Sequence, residues 1–189
     1  MTVAQSPAEA LTRDAYLALM WSLSYPGRAH QLPLPLRERA GVREETRHID
    51  FLVIARTLLD LETSFFCIDD MLSAQLAETD ARQKPIEDAA YIFLPTLDAQ
   101  TSPLIERASL GTFAYPDKGA TIITRATFDA GAVTTWSGPG IPSPRRVMLD
   151  VPHAFWQLRA NRIHYPLGFD VFFVDHDRVI GLPRTTEVH

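Results

Sequence analysis

Asn161 to Val188 reads NRIHYPLGFDVFFVDHDRVIGLPRTTEV, and this stretch says more about the fold than any other part of the sequence. It contains two apolar runs of strand length, 169–174 and 179–182, which are rich in β-branched and aromatic residues. Polar residues 175–177 lie between the runs, where a turn is needed. The stretch therefore predicts a β-hairpin.

The first run places one carboxylate among large apolar side chains. Because successive strand residues point to opposite faces, Asp170 shares a face with Phe172 and Val174. The opposite face takes the other residues of the run: Phe169, Val171 and Phe173. An isolated carboxylate in such surroundings needs a positively charged partner.

The length of the turn sets the pairing of the two runs. With a turn centred on His176, Asp170 lies opposite Leu182 and Gly168 lies opposite Arg184, so that Asp170 and Arg184 are diagonal neighbours. A turn one residue longer or shorter would break this register. Two interpretations stay open: a core hairpin whose carboxylate is neutralised by an arginine, or an anchor point for a ligand or partner.

The composition is that of one soluble globular domain spanning residues 1–189. The chain of 189 residues is 46% apolar, which is enough for a substantial core. A net charge of −5 argues against non-specific nucleic-acid binding, which needs a surplus of Lys and Arg. It leaves small anionic ligands open, because a few arginines can hold a phosphate on an acidic protein.

Several features favour a cytoplasmic location. Cys67 is the single cysteine, so no internal disulfide can form, and its apolar neighbours indicate a core residue rather than a nucleophile. The apolar segment from Tyr16 to Leu23 lacks the basic flank and cleavage site of a signal peptide. No apolar run reaches the roughly 20 residues that span a bilayer.

The first two thirds of the sequence predict helices and strands that alternate. Ser6-Pro7-Ala8-Glu9 has the pattern of a capping box, and the helix that it opens ends at Pro26-Gly27. The expected buried face of this helix comprises Tyr16, Leu19, Met20 and Leu23. Further predicted elements are a helix at 51–61, a strand at 64–68, a helix from Asp69-Asp70 to Thr79 with Met71, Leu72, Gln75 and Leu76 inside, a strand at 90–94 and a short helix from Ser102 to Gly111. This order predicts a sheet covered on both faces.

The segment that follows is rich in threonine and β-branched residues. Strands are expected at 120–128 and 132–137, joined by Asp129-Ala130-Gly131 as a three-residue hairpin loop. Residues 138–144 contain three prolines and are expected to form a stiff loop. A helix should start at Pro152, with Phe155, Leu158 and Arg159 on one side.

The long segment from Arg28 to Asp50 holds two prolines and charges of both signs, and a short strand or a contact with another chain would suit its length. It includes Arg37, Arg39, Arg43 and Arg47. Because Glu38, Glu44 and Glu45 alternate with them, we interpret this group as a solvated surface.

No catalytic or metal-binding motif is present in the sequence. It lacks a nucleophile elbow, a Walker-type loop, a zinc motif and paired cysteines. His176 between two aspartates is interpreted as a solvated turn, and His164 has no neighbouring carboxylate to orient it. Lys84 and Lys118 lie in polar turns, whereas a pyridoxal phosphate (PLP) enzyme needs a lysine in a dry pocket.

Gly138-Pro139-Gly140 follows a predicted strand, as a phosphate-binding loop would. The prolines at 139, 142 and 144 remove backbone N–H donors that such a loop uses, and no third glycine completes the pattern. A rigid connector is therefore the preferred interpretation.

Two segments resemble the closing signature of the PhnH family. They are HYPLGFD at 164–170 and LPRTTEV at 182–188. Other segments follow in the family's order: SYPG at 24–27, GT at 111–112, GATII at 119–123 and SGPGI at 137–141. The residues that we take as family signature, and as candidate partner or anion contacts, are Pro26, Gly27, Gly138, Gly140, Pro166, Leu167, Gly168, Asp170, Arg184, Thr185 and Thr186. Residues 28–50 and 79–110 resemble the family only weakly.

The resemblance implies an α/β fold of three α/β/α layers with a mixed sheet, similar to the PLP-dependent transferases but without PLP or another cofactor. It implies a homodimer when the chain is isolated, and a place in a core assembly with PhnG, PhnI and PhnJ. The resemblance gives no catalytic residues that can be carried over to this chain, and the spacing of its six histidines predicts no metal site.

The resemblance also implies a process, the catabolism of organic phosphonates by the carbon–phosphorus (C–P) lyase system. There PhnG, PhnH and PhnI act with PhnL to displace adenine from ATP with an alkylphosphonate, which gives a ribose 1-alkylphosphonate 5-triphosphate. PhnJ later cleaves the C–P bond. Two alternatives stay open: a self-sufficient enzyme or binding protein for a phosphorylated metabolite that uses Asp170 and Arg184, and a dimeric scaffold unrelated to phosphonates.

Overall fold

The computed structural model describes residues 6–35 and 48–189, which form four α-helices and ten strands. In chain order the elements are α1 (Pro7–Ser24), β1 (His30–Gln31), α2 (Ile49–Leu58), β2 (Ser64–Cys67), α3 (Asp70–Ala77), β3 (Arg82–Gln83), β4 (Tyr91–Leu94), β5 (Thr121–Arg125), β6 (Thr127–Gly138), β7 (Ile141–Asp150), α4 (His153–Arg162), β8 (Asp170–Asp175), β9 (Arg178–Leu182) and β10 (Glu187–Val188). Short 3-10 helices lie at Ser102–Arg107 and Pro116–Lys118. The arginines predicted as a solvated surface, at positions 37, 39, 43 and 47, lie outside the described residues.

Seven strands form one mixed sheet in the order β1-β9-β8-β5-β4-β2-β3. Strands β2, β3, β4, β5 and β8 run parallel to their neighbours, and β9 and β1 add antiparallel pairs at one edge. Parallel neighbours need crossover connections, and the helices between the strands supply them. The predicted α/β class with a mixed sheet is confirmed.

Each face of the large sheet packs against its own apolar cluster. Phe172 and Val174 of β8 belong to a cluster with residues of α1, α2 and α3. Phe169, Val171 and Phe173 belong to a second cluster with residues of α4 and β6. The predicted division of this strand into two faces is confirmed, and it explains why both sides of β8 are apolar.

The C-terminal hairpin forms, but its predicted register is wrong by one residue. Val174 pairs with Val179, and Val171 pairs with Leu182. The turn has two residues instead of three, because His176 adopts a positive φ of 55° that suits a tight hairpin turn.

The hairpin predicted at Asp129-Ala130-Gly131 is also wrong. Residues 121–125 are a strand of the large sheet, whereas Thr127–Gly138 is one strand of a second, three-stranded antiparallel sheet in the order β10-β6-β7. Phe128 and Ala132 are both paired with Leu149, so the intervening residues form a bulge. Positive φ values at Asp129 and Gly131 suit a bulge as well as a loop.

The stiff loop predicted at 138–144 is mostly strand. Pro139 and Gly140 form the turn between β6 and β7, and Pro142 and Pro144 lie in β7. Among the described residues β7 pairs with β6 alone and is an edge strand, where proline is tolerated. The β6–β7 pairing shifts register between Trp136 and Gly138, opposite the stretch that contains Pro142 and Pro144.

Helix α1 begins with the predicted capping box, and its buried face is only partly the predicted one: Leu19 is buried and Leu23 packs against the core, but Tyr16 faces solvent. Ser6 Oγ accepts from the Glu9 N–H at 3.2 Å, and Glu9 Oε2 accepts from the Ser6 N–H at 2.7 Å. The buried residues are Ala15, Ala18, Leu19 and Ser22, while Tyr16 is 53% exposed. A Cβ on Gly181 of β9 would lie 2.6 Å from the Ser22 carbonyl carbon, so the helix approaches the strand too closely for large side chains.

Smaller predictions had mixed outcomes. Asp69 caps α3 as predicted, accepting from the Leu72 N–H at 2.8 Å, but Met71 is 73% exposed and not part of its buried stripe. Lys84 and Lys118 are exposed as predicted. Among residues 6–35 and 48–189, no helix is both long and apolar enough to cross a membrane.

Candidate functional site

The ion pair of Asp170 and Arg184 lies at the start of β8. Asp170 Oδ2 accepts from Arg184 Nη2 at 2.7 Å, and Oδ1 accepts from Arg184 Nε at 3.2 Å and from the Arg184 backbone N–H at 2.7 Å. The Arg184 side chain is only 14% exposed, and the Asp170 side chain is 20% exposed. The predicted pairing is confirmed, and the carboxylate is neutralised by a bidentate arginine.

The pair forms although the predicted register is wrong, because Arg184 has left strand β9. The strand ends at Leu182, and a turn closed by the Thr186 N–H to the Pro183 carbonyl at 3.0 Å brings the Arg184 backbone back over Asp170. A cross-strand diagonal is therefore not the cause of the contact; the turn after the strand is.

Arg184 also ties a distant loop to this turn. Its Nη1 donates to the Pro116 carbonyl, and a Cβ on Gly119 would lie 2.6 Å from the same nitrogen. A Cβ on Gly168 would lie 3.0 Å from Arg184 Cβ. All three guanidinium nitrogens thus have acceptors, and the glycines leave the room that the side chain occupies.

A cleft of about 590 Å³ lies beside this ion pair. Its walls come from α4, from the turn after β9 and from the C-terminal strand β10. The lining residues are Pro139, Trp156, Arg159, Ala160, Ile163, Tyr165, Arg184, Thr185, Thr186, Glu187, Val188 and His189. Three of the predicted site residues, Arg184, Thr185 and Thr186, therefore line one cleft.

Arg159 is the buried charge of the cleft, with 5% exposure. Its Nη2 donates to the carbonyls of Pro183 at 2.8 Å and Thr186 at 3.0 Å. Its Nε is buried without a hydrogen-bond partner in the part of the chain that the structure describes. Burial lowers the pKa of the Arg159 guanidinium to about 10, and the neighbouring Asp170 carboxylate opposes part of that effect.

Two more polar groups of the cleft residues lack partners among residues 6–35 and 48–189. They are Trp156 Nε1 and Thr186 Oγ1, both buried. Buried polar groups are almost always hydrogen-bonded in folded proteins, so three such groups on residues of one cleft need an explanation.

The remaining predicted residues fall into two places. Gly138, with φ 129°, lies against the C-terminal turn, since a Cβ there would be 2.9 Å from the Thr185 carbonyl oxygen. Pro166 and Leu167 lie in a turn closed by reciprocal hydrogen bonds between His164 and Leu167 at 3.1 and 2.8 Å, and the Tyr165–Pro166 peptide is cis.

Pro26, Gly27 and Gly140 form a separate contact between the end of α1 and the β6–β7 turn. A Cβ on Gly140 would lie 2.9 Å from Pro26 Cδ, and a Cβ on Gly27 would lie 2.8 Å from Val147 Cγ2. Positive φ values at both glycines, 74° and 79°, also favour the absence of a side chain. This contact packs elements together and lines no part of the cleft.

Other reactive side chains contribute little to a site. Burial raises the pKa of the Cys67 thiol to about 12, which suits the predicted core role. The His164 ring lies 3.4 Å from the Arg162 carbonyl oxygen and is exposed. Within the described ranges, no group of three or more His, Cys, Asp or Glu residues could hold a metal ion.

Comparison with known proteins identifies the family. The sequence matches the family described as bacterial phosphonate metabolism protein (PhnH) over residues 5–189. The chain belongs to the PhnH family. The match covers the cleft, the Asp170–Arg184 pair and the α1 contact, so the resemblance of the shorter segments is confirmed over nearly the whole chain.

Two curated relatives agree with this assignment. The chain is 30% identical over 199 aligned residues to a protein of Stutzerimonas stutzeri named C-P lyase subunit HtxG, with 99% of this chain and 94% of the relative covered. It is 32% identical over 89 residues to the alpha-D-ribose 1-methylphosphonate 5-triphosphate synthase subunit PhnH of Rhizobium meliloti (strain 1021), with 46% of this chain and 44% of the relative covered.

The sequence did not reveal every charged group that the PhnH fold buries. Arg159 was placed on the inner side of its helix with Phe155, but no role followed from that position. Asp50, which is 3% exposed, binds Arg125 through contacts of 2.6 and 2.9 Å, and this pair was not predicted. The partners are 75 residues apart, and nothing in the local pattern of either one points to the other.

Proposed function

We propose that this chain is a required but non-catalytic subunit of a C–P lyase core complex in organic phosphonate catabolism. The supporting observation is its match to the PhnH family over residues 5–189, together with nearly full-length similarity to a C-P lyase subunit. In this role it acts with PhnG, PhnI and PhnL homologues in forming a ribose 1-alkylphosphonate 5-triphosphate, and with PhnJ in the larger assembly.

The geometry supports a structural role for Asp170 and Arg184. Both carboxylate oxygens and all three guanidinium nitrogens are already engaged within the chain, so neither residue has an obvious free group for chemistry. A self-sufficient enzyme built on this pair is therefore less well supported than a scaffold that it stabilises.

The proposal includes one domain over residues 1–189, a three-layer arrangement similar to PLP-dependent transferases without PLP, a cytoplasmic location and a homodimer of the isolated chain.

Sedimentation equilibrium tests whether the isolated chain is a homodimer. We expect a particle of about twice the 21.2 kDa of one chain. A single 21.2 kDa species at micromolar concentration would contradict the homodimer.

The role in the complex is tested in cells and by purification. Deletion of the gene should abolish growth on methylphosphonate as the sole phosphorus source and leave growth on inorganic phosphate unchanged. The tagged chain should copurify with PhnG, PhnI and PhnJ homologues. Normal growth of the deletion strain on methylphosphonate would favour a scaffold unrelated to phosphonates, and substrate turnover by the lone chain would favour the self-sufficient enzyme.

A further inference from the structure

The cleft beside α4 contains a buried positive charge without a carboxylate of its own. Arg159 is 5% exposed, and none of its hydrogen bonds within the described residues goes to a carboxylate. The nearest acidic influence is Asp170, but both oxygens of Asp170 already bind Arg184. Removing a guanidinium from water is costly unless an anion compensates it.

The carbonyls that Arg159 binds satisfy only part of its capacity. A guanidinium has five N–H donors, and the contacts to Pro183 and Thr186 both come from Nη2. The hydrogen bonds to these two backbone carbonyls link α4 to the turn after β9. They do not provide the negative charge that a buried guanidinium favours.

The neutral donors of the same cleft complete the pattern. Trp156 can only donate through its indole N–H, and Thr186 can donate through its hydroxyl; both groups are buried and without partners in the described parts of the chain. The only carboxylate side chain among the lining residues is that of Glu187, which is 75% exposed and lies 3.7 Å from the His189 ring. Its effect on the cleft interior is screened by solvent.

We propose that this cleft binds a small oxyanion of the phosphate or phosphonate class, held by Arg159 with Thr186 and Trp156 as neutral donors. Arginine matches the oxygens of such a group with paired N–H donors. Ala160 and Ile163 give the cleft an apolar wall that a small organic substituent on phosphorus could contact. The choice of a phosphorus oxyanion over a carboxylate rests on the proposed function, because arginine binds both kinds of group. Binding by the isolated chain and copurification with partner subunits can fail independently of each other.

Inorganic phosphate is the first probe, added to the full-length protein during thermal unfolding and in calorimetric titration. A saturable increase in Tm, beyond that given by sodium chloride of equal ionic strength, is expected because the ligand binds the folded state alone. The absence of any such shift with phosphate, methylphosphonate and ATP would overturn the proposal.

Methylphosphonate and ATP identify the source of the oxyanion. Similar affinity for phosphate and methylphosphonate would support a free small anion, whereas ATP binding at least ten times tighter than phosphate would support a terminal phosphate of a nucleotide. Either result keeps the oxyanion site at Arg159, provided that the variants below weaken it.

Thr186→Val and Thr124→Val form a matched pair. Both threonines are buried with unpartnered hydroxyls among the described residues, but Thr124 lies in β5 and does not line the cleft. Neither change should lower stability without ligand, because each removes an unsatisfied polar group. Thr186→Val should weaken phosphate binding about tenfold or more, the size of a lost hydrogen bond to a charged group, and Thr124→Val less than twofold. Equal affinity of the two variants would contradict the assignment of Thr186.

Arg159→Lys tests the charge carrier. The lysine keeps a positive charge but loses the planar fork and the double contact to the turn, so phosphate affinity should fall at least tenfold. A folded Arg159→Lys protein with unchanged phosphate affinity would show that Arg159 only links α4 to the turn after β9 and binds no anion. If this variant does not fold, the threonine pair still decides the question.

Discussion

At the scale of single residues, Asp170 is the most heavily used side chain of the C-terminal segment. It accepts three hydrogen bonds from Arg184, two from the guanidinium and one from the backbone. The same arginine reaches the Pro116 carbonyl, so one carboxylate fixes a turn and, through its partner, a loop almost 70 residues away. Its loss leaves a largely buried cation without a carboxylate, and the Arg184 backbone N–H without its acceptor.

We therefore expect Asp170→Ala to destabilise the protein by about 2–4 kcal/mol, the range for breaking a partly buried ion pair. For a chain of this length the unfolding midpoint should fall by about 5–12 °C. Urea and thermal unfolding of the purified variant measure both quantities.

Glu87→Ala is the matched control for Asp170→Ala, because Glu87 forms an arginine pair on the surface. It binds Arg107 with an Nε–Oε1 distance of 2.7 Å, and its side chain is 46% exposed. Surface ion pairs contribute little to stability, so the Tm of the Glu87→Ala variant should stay close to that of the wild type. In an Arg184→Ala background, Asp170→Ala should cost clearly less, since the stranded charge is absent. If Asp170→Ala lowers the free energy of unfolding equally in both backgrounds, Asp170 and Arg184 do not stabilise each other and the prediction is wrong.

Cys67 gives the protein a specific alkaline sensitivity. Its pKa is 9.0 as an ordinary thiol and is raised to about 12 by burial in the folded state. Above pH 9 the unfolded chain loses the thiol proton while the folded chain keeps it, so stability falls as pH rises. At pH 10 the loss should be about 1.4 kcal/mol.

Cys67→Ala isolates this effect, because every other group titrates in both proteins. The stability difference between wild type and variant should shrink by about 1.4 kcal/mol when urea unfolding is moved from pH 8 to pH 10. A difference that is independent of pH would mean that the folded state exposes the thiol.

The sequence was informative about residues whose partner is local. Asp170 begins one strand of the C-terminal hairpin and Arg184 lies in the turn just after the other, so an odd carboxylate in an apolar strand predicted its arginine even with the register one residue off. Arg159 could not be interpreted in this way, because its surroundings come from the turn 183–186, which packs on α4 only in the folded molecule. Asp50 of α2 and Arg125 of β5 likewise meet only because the folded chain packs that helix on the large sheet.

At the scale of elements, the end of α1 packs directly on the small sheet. Gly27 has φ 74°, and a Cβ there would lie 2.8 Å from Val147 Cγ2 and 2.9 Å from Arg145 Cδ. Both the backbone angle and the space exclude a side chain without movement of the neighbouring strand. The α1 end and the β6–β7 hairpin are held at a separation that only glycine permits.

Gly27→Ala should therefore destabilise the protein by about 2 kcal/mol or more, from the unfavourable backbone conformation together with the contact at Val147. Chemical unfolding gives the magnitude. In a Val147→Ala background the cost should be smaller but not zero, because the added space relieves the contact and leaves the backbone angle unchanged. If Gly27→Ala causes no loss of stability in the Val147→Ala background, the whole effect comes from the contact with Val147. If the loss is unchanged there, the whole effect comes from the backbone conformation.

Strands β2, β4, β5 and β8 of the parallel sheet were predictable because their signals are local: apolar runs, each preceded or followed by a cap or a turn. Strand β3 was not, because its two residues Arg82 and Gln83 are polar and exposed and carry no such signal. The small sheet was not predictable either. Asp129-Ala130-Gly131 has the composition of a hairpin loop, and only the partner strand β7, paired on both sides of it, shows that the chain continues as one bulged strand. Strand pairing over this distance has no signature in the composition of either strand.

At the scale of the whole molecule, the last seven residues join the two sheets. Strand β9 belongs to the large sheet and β10 to the small one, so the turn 183–186 is one of the covalent links between the sheets, in addition to the β5–β6 connection and the passage through α4. Arg159 and Arg184 both bind this link, one at its carbonyls and the other as part of it. Beyond the link, both sheets contribute to one apolar cluster that includes Trp136, Phe155 and Phe173.

A shared cluster predicts that the two sheets unfold together. Two of the three tryptophans report on this half of the molecule, because Trp136 is fully buried in the small sheet and Trp156 lines the cleft. The third, Trp21, lies in α1 and is 43% exposed, so a Trp21→Phe background restricts the fluorescence signal to the other two. Far-ultraviolet circular dichroism reports on the helices, three of which lie in the opposite cluster. We expect the two signals to give one coincident urea transition in the wild-type protein, because separating the sheets would expose the whole shared cluster. Residues 187 and 188 form the β10 pairing with β6, and Val188 packs against the shared cluster, so deletion of residues 187–189 should lower the midpoints of both transitions by the same amount. A fluorescence transition that precedes the loss of helix would show instead that the small sheet is an independent unit.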